Sequence, residues 1–225
     1  MMNYVMEKYL QNNPKATDVL TAASGKTLAQ INKIKVAGFG PFDNEIAKTG
    51  KVQGLHDSFL GAVRAGLEFN LDVLKGYDVL NAAQSAGINE LFGPDNKLLR
   101  ADAAVLVHND MPAWNALTID GIHVSAALDW DECVGGIPVS EIACYSTFYE
   151  PERMEKFLEG YFSVSGEIPN FKEQFELMRL RYIVSKMTLR LRRYFAWQKD
   201  DFMKQKIETG KIHLKESLKH FGLSK

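Results

Sequence analysis

At 225 residues, 46% of them hydrophobic, the chain can bury one sizeable core and is read as one domain over residues 1–225. A formal net charge of -1 gives no global electrostatic case for nucleic acid or an anionic membrane as partner. Cys133 and Cys144 stand outside any CxxC or Cys/His cluster, which argues against a disulfide scaffold or zinc site and for reduced thiols in a cytoplasmic protein.

In chain order, residues 1–10 read as a short extended piece that Asn12-Asn13-Pro14 breaks. The start, MMNYVMEKYLQNN, has no basic leader before a long apolar run, and no window of the chain reaches the roughly 18 apolar residues of a spanning helix, so a soluble protein without a membrane partner is expected. Thr17 or Asp18 is placed to cap a helix whose stripe runs through Val19, Leu20, Ala23, Leu28, Ile31 and Ile34, with Gly25 as a soft spot. Gly38 to Gly54 reads as loop, because four glycines and a proline are too many breakers for a regular element. Helical stripes follow over Ser58–Leu74 and Val79–Phe92, the second stopped by Gly93-Pro94.

The texture changes at Ala103, where Ala-Ala-Val-Leu-Val suits a buried strand that ends at His108. Ala116–Ile119, an Asp120-Gly121 turn and Ile122–Leu128 read as a hairpin with Asp129 at its end. Beyond the Gly135–Pro138 turn, Ser140 is placed to cap a helix into Tyr145, and Pro151-Glu152 opens another to about Tyr161. Long helical patterns fill residues 170–197 and 200–221.

The chemistry concentrates between these patterns, in His108-Asn109-Asp110 with Asn115 five residues later and Asp129 nineteen later. An aspartate that accepts a hydroxyl proton, an asparagine on the same loop and a second aspartate after it are what phosphoryl transfer needs to orient a nucleophile and hold Mg²⁺. Val107 to Asn115 (VHNDMPAWN), followed by Ser125 to Asp131 (SAALDWD), resembles the aminoglycoside phosphotransferase and choline kinase-like family, whose usual text is close to HGDLHPGN and then IDWE. The resemblance extends through GKTLAQINKI and VAGFG upstream and Gly136–Pro138 and Glu141–Ala143 downstream, and covers roughly residues 1–150.

This resemblance implies an α+β, mainly helical fold: a protein kinase-like C-terminal lobe with a short catalytic β-hairpin. Residues 1–10 would be the hinge-like segment, 103–131 the catalytic loop and metal-binding hairpin, and 151–225 the C-terminal helices. Asp110 would be the catalytic base and His108 its structural companion, bonded to backbone near Asp129. Asn115 and Asp129 would hold Mg²⁺, with Asp131 a weaker metal or substrate contact. Met6, Glu7 and Lys8 would be the hinge residues that face ATP or GTP. The acceptor would be a small, hydroxyl-bearing and cationic molecule received by Asp131, Glu132, Glu141 and Glu150, between the hairpin and the helices after Pro151.

The chain departs from the family text at Asn109 for glycine, Asn32 for histidine and Glu141 for aspartate. No glycine-rich phosphate loop and no paired lysine precede the catalytic segment, so the expectation is a lobe without its N-terminal partner. A truncated or degenerate homologue that binds a small molecule or protein without catalysis is the second reading. The apolar start (Met1, Met2, Tyr4, Val5, Met6, Leu10) suits a docked hinge strand or a surface covered by a second copy in a homo-oligomer. The basic run Arg179, Arg181, Lys186, Arg190, Arg192 and Arg193 reads as the solvated face of an amphipathic helix rather than a nucleic-acid surface. Trp130 reads equally as a pocket wall or as packing, Trp114 as packing.

Overall fold

The computed structural model describes residues 4–224. Met1 and Met2, part of the expected hinge-like segment, lie outside these. Along the chain run β1 (Tyr4–Val5), α1 (Met6–Asn12), α2 (Thr17–Ile31), β2 (Lys35–Val36), β3 (Phe39–Phe42), α3 (Asn44–Ala47), β4 (Gly54–His56), α4 (Phe59–Arg64), α5 (Leu67–Gly76), α6 (Ala82–Leu91) and β5 (Ala104–Val107). There follow β6 (Ala116–Thr118), β7 (Ala126–Ala127), β8 (Val134–Gly136), α7 (Pro138–Tyr145), α8 (Pro151–Ser165), α9 (Phe171–Ala196) and α10 (Asp201–His220). The molecule is mainly helical with two small antiparallel sheets. It divides into two compact units, residues 1–59 with 101–171 and residues 60–100 with 172–225.

The first unit holds both sheets, ordered β1-β6-β7 and β2-β5-β8-β3-β4. Its helical core is the crossing of α2 on α8. α2 buries Leu20 and Leu28, and α8 buries Met154, Phe157 and Tyr161. Gly25, expected as a soft spot, is a point of close approach: a Cβ there would lie 2.1 Å from the Phe157 carbonyl oxygen. Gly160 answers it from the other helix, where a Cβ would lie 1.9 Å from the Ala22 carbonyl oxygen. Two missing side chains let the backbones touch.

Several expectations are corrected. Residues 38–54 are not a loop but carry β3, α3 and β4. Their glycines mark strand contacts, since a Cβ on Gly54 would lie 2.5 Å from the Phe39 carbonyl oxygen and one on Gly135 2.4 Å from that of Gly38. Only Tyr4 and Val5 of the first ten residues are extended. Met6, Glu7, Lys8, Leu10 and Gln11 are good helix formers, and the chain runs on as α1 up to the expected Asn-Pro break. Neither Thr17 nor Asp18 caps α2, whose first turn grows out of the Pro14–Ala16 3-10 turn, with the Thr17 hydroxyl donating to the Pro14 carbonyl. The stripe over Ser58–Leu74 is two helices parted at Gly66, whose φ of 68° no helix accepts. Ser140 sits inside α7, which starts on Pro138 at its first turn.

The second unit buries Leu67, Leu71, Leu74, Ile88, Leu180, Val184, Leu214 and Leu218. The basic run of α9 is a solvated face only in part, with Arg192 and Arg193 exposed and the others half-buried. Arg181 donates from Nε to the Val63 carbonyl at 2.7 Å and from Nη2 to that of Ala65 at 2.8 Å, closing the C-terminal end of α4. Arg190 donates to the Lys206 carbonyl, Arg179 pairs with Glu216, and Arg192 and Arg193 lie over the Phe69 and Trp197 rings. Among the described residues no helix is long and apolar enough to cross a membrane.

Candidate active site

β5 is the buried apolar strand that Ala-Val-Leu-Val predicts, paired with β2 on one side and β8 on the other, and it carries the chain into a fully buried His108. Both ring nitrogens of His108 are engaged. Nε2 meets the Leu128 carbonyl oxygen at 3.0 Å, and Nδ1 accepts a long 3.4 Å hydrogen bond from the Asp110 N–H. That arrangement defines a neutral ring with its proton on Nε2. Burial lowers the ring's pKa, outweighing the Leu128 carbonyl and the Asp110 and Asp129 carboxylates, which pull the other way. Both carboxylates therefore lie within electrostatic reach of this one imidazole. The Trp130 ring packs on His108 with centroids 4.4 Å apart, so Trp130 is packing, and it stays partly exposed as well.

The loop after His108 is shaped by its own side chains. Asn109 has φ 68°, a left-handed conformation that asparagine tolerates better than most residues. The chain then closes a single 3-10 turn over Ala113–Asn115. Asn115 donates from Nδ2 to the Asp110 carbonyl at 2.9 Å and to its carboxylate Oδ2 at 3.1 Å, while its own carbonyl accepts from the Leu128 N–H at 2.8 Å. Asp110, Asn115 and the chain leading into Asp129 are thus one hydrogen-bonded knot. The Tyr149 hydroxyl accepts from the Ala113 N–H at 2.6 Å and holds the turn from behind.

β6 and β7 pair antiparallel, Ala116 with Ala127 and Leu117 with Ala126. Their connection runs over residues 119–125, longer than the two-residue Asp-Gly turn expected. Asp120 supports it by accepting from the Ile122 and His123 N–H groups, and Thr118 accepts from Gly121. Asp129 follows, exposed, at φ 60°. Asp131 is exposed too and lies close enough to Cys133 to add to the upward push that burial gives that thiol.

The donor set suits a hard cation. Asn115 commits its amide nitrogen to Asp110, which leaves its amide oxygen as the atom it could offer a metal, and exposed Asp129 could offer a carboxylate. Mg²⁺ takes one or two protein oxygens and fills the rest of its shell with water and phosphate. Among the described residues no three His, Cys, Asp or Glu side chains converge on one metal point. Asp110, Asp129 and Asp131 therefore do not form a three-acid cage.

Two features escaped the sequence reading. Glu141, expected among acids that receive a cationic acceptor, is only 1% exposed and cannot face one. Its Oε2 accepts from the His108 N–H at 2.6 Å and its Oε1 from the Asn109 N–H at 3.1 Å. The signal was present in α7, where one acid sits in an otherwise uncharged run, Val139 to Tyr145, whose every residue is buried. Cys144, one turn on, donates from Sγ to the Asn109 carbonyl. At the other side of the site, Met6, Glu7 and Lys8 form the first turn of α1, directly after β1, which pairs with β6. Met6 is buried, so only its backbone could meet a ligand.

The sequence model of the phosphotransferase enzyme family matches residues 4–175. No curated protein matches the chain. Among solved structures, a choline/ethanolamine kinase family protein from Mesorhizobium loti is 14% identical with a TM-score of 0.66, over 99% of this chain and 68% of that one. A thermostable mutant of aminoglycoside phosphotransferase APH(4)-Ia, in ternary complex with AMP-PNP and hygromycin B, is 18% identical with a TM-score of 0.62, over 90% and 64%. A macrolide 2'-phosphotransferase type I is 17% identical with a TM-score of 0.56, over 87% and 58%. The chain thus spans 58% to 68% of the length of these structures.

Proposed function

The chain belongs to the phosphotransferase enzyme family, and from that premise we propose that it is a small-molecule phosphotransferase that moves a nucleotide γ-phosphoryl group to a substrate hydroxyl. The observation that carries this reading is the knot in which Asn115 and His108 tie Asp110 to the segment that ends in Asp129. On this reading the fold is the mainly helical C-terminal lobe of a kinase-like protein, with β6 and β7 as its catalytic hairpin.

Asp110 takes the proton as the acceptor oxygen bonds to the γ-phosphorus and the bond from that phosphorus to the β-γ bridging oxygen breaks, releasing the nucleoside diphosphate. Asn115 orients the Asp110 carboxylate, and neutral His108 holds the loop against Leu128 without carrying a proton. Mg²⁺, held by Asn115 and Asp129 with Asp131 beside them, would neutralise charge on the phosphates. ATP or GTP would lie toward Met6, Glu7 and Lys8 at the start of α1. Exposed Asp131, Glu132 and Glu150 suit a hydroxyl-bearing cationic acceptor, of the kind that hygromycin B represents in the APH(4)-Ia complex. A cytoplasmic setting fits the two free thiols, and a second copy covering the hinge-side surface would appear in sedimentation as a dimer.

The test uses calorimetry with ATP and Mg²⁺ followed by transfer assays with choline and hygromycin B. Binding is expected in the native chain and is expected to weaken at least about tenfold in Asp129→Ala. Binding that survives unchanged in that variant would remove the metal assignment. Asp110→Asn should lower transfer by about 10²-fold or more, and an unchanged rate would remove the base. Binding with no transfer at all would favour the second reading, a non-catalytic homologue.

A further inference from the structure

α9 and α10 fold back on each other as an antiparallel helical hairpin. Arg179 meets Glu216, a Cβ on Gly210 would lie 2.1 Å from the Met187 sulfur, and Arg190 donates to the Lys206 carbonyl at 3.1 Å. Residues 197–200 are its turn. Each arm ends in an aromatic side chain that the core does not take up, since Trp197 is 72% exposed and Phe202 58%. Each ring has a cation four residues deeper in its own arm. The Arg193 guanidinium lies 6.0 Å from the centre of the Trp197 ring, and the Lys206 ammonium 4.6 Å from that of Phe202. Phe195 stacks on Tyr77 at 4.7 Å and braces the last turn of α9.

Charge at this end departs from that of the whole chain. Residues 192–206 carry Arg192, Arg193, Lys199, Lys204 and Lys206 against Asp200 and Asp201, within a chain of net charge -1. Asp200 spends its carboxylate on the Met203 N–H as the cap of α10. The expectation of no membrane partner rested on bulk charge and on spanning helices, and neither measures a local patch. Rings at the end of the arms with cations about 6 Å behind them, one helical turn back, match the layering of a lipid surface. There aromatic rings settle at the boundary of headgroups and acyl chains, and long basic side chains reach the phosphates.

Two other occupants fit less well. A second copy set tip to tip would face these cations with themselves. Single-stranded nucleic acid is held along a basic groove lined with stacking rings, whereas here the rings stand at the end of two arms with cations behind them. We propose that the tip of the α9–α10 hairpin docks on the surface of an anionic lipid bilayer. Trp197 and Phe202 enter the headgroup layer, while Arg193, Lys199, Lys204 and Lys206 meet lipid phosphates and carboxylates. The chain lies on the bilayer and does not cross it, in keeping with the absence of a spanning helix among the described residues.

The test sediments the full chain with vesicles of phosphatidylcholine alone or with about a third phosphatidylserine. Wild type is expected to bind the anionic vesicles at least about tenfold more tightly and to lose that preference in about 0.5 M salt. Trp197→Ala combined with Phe202→Ala should weaken binding at least about tenfold. Arg193→Gln combined with Lys206→Gln should do the same, since each cation at such a surface is worth about fivefold. Trp197 emission should shift to the blue on anionic vesicles, read as the difference between wild type and Trp197→Phe so that Trp114 and Trp130 cancel. The replaced side chains lie outside the core, and thermal melting checks that each variant is folded.

No binding to anionic vesicles, equal binding to both kinds, or binding untouched in both double variants would overturn the proposal. Binding of oligothymidylate in place of vesicles, abolished by the double variants, would make the tip a nucleic-acid surface and overturn it too. So would self-association in place of vesicle binding, abolished by Trp197→Ala, which would make the tip an interface between copies. Should the variants fail to fold, the dependence of wild type on lipid charge and salt decides alone. The inference stands apart from the phosphoryl-transfer reading, because none of its readouts involves transfer.

Discussion

Asn109 at φ 68° and Asp129 at φ 60° put left-handed backbone at both ends of the site, and neither is glycine. A left-handed residue with a Cβ costs about 1–2 kcal/mol, less for asparagine and aspartate. Asn109→Ala should therefore lower stability in urea by about 1 kcal/mol. Asn109→Gly should be nearly neutral, because relief of strain is offset by about 0.5–1 kcal/mol of extra chain entropy in the unfolded state. An alanine variant as stable as wild type would show that Cys144 and Glu141, not the side chain of Asn109, carry that turn. Two buried ionisable groups next to it shape the pH dependence. His108, with its pKa depressed below 6.5, contributes stability that is present above 6.5 and lost as pH falls through its folded value. Glu141, raised from 4.5 to about 7, contributes stability that is full below 4.5 and lost as pH rises through 7. The two oppose each other on acidification. Glu141→Gln removes the second, so between pH 7 and 4.5 it should lose stability more steeply than wild type, by at most about 1.4 kcal/mol per pH unit. Equal slopes in denaturant titrations across that range would refute the raised carboxyl. The order His108, Asp110, Asn115 was legible because its hydrogen bonds close within a few residues. The anchor was not, because Glu141 binds amide groups 32 and 33 residues away, and an amide has no side chain to read.

Among the helices and strands, glycine decides where backbones meet. Gly25 and Gly160 sit where α2 and α8 cross, each facing a carbonyl of the other helix. A glycine in a helix looks like weakness in sequence, since propensity counts only the helix that holds it. Here tertiary contact outweighs the roughly 1 kcal/mol of propensity, and the same holds for Gly38, Gly54 and Gly135 in the strands that looked like loop. Gly160→Ala is expected to cost about 3 kcal/mol by forcing the helices apart, visible as a lower urea midpoint at unchanged slope. If it instead stabilised the chain, as alanine does in an exposed helix, the crossing would not be the tight contact described. The long helices were legible because their apolar spacing needs no partner to be recognised. The role of the α9 cations was not, since Arg181 closes α4 through carbonyls 118 and 116 residues away. Its substitution by methionine should remove two such bonds and cost about 2–3 kcal/mol.

For the molecule as a whole, the division into two units separates chemistry from bulk. His108, Asp110, Asn115, Asp129, Asp131, Glu141 and the Met6–Lys8 turn all fall in residues 1–59 and 101–171, while α5, α6 and α10 belong to the other unit. The chain passes between the units three times, after residues 59, 100 and 171, so neither is a single continuous stretch that evolution or proteolysis could simply remove. Stability and nucleotide binding should therefore be separable by mutation but not by dissection. Leu214, 2% exposed in α10, tests this. Leu214→Ala should destabilise its unit by about 2–5 kcal/mol, seen as faster amide exchange confined to residues 60–100 and 172–225. AMP-PNP affinity, measured below the onset of unfolding, should stay within about twofold of wild type, because no group proposed to touch the nucleotide lies in that unit. A loss of affinity as large as the loss of stability would mean that the second unit shapes the nucleotide site, and the assignment of binding to the first unit alone would fall.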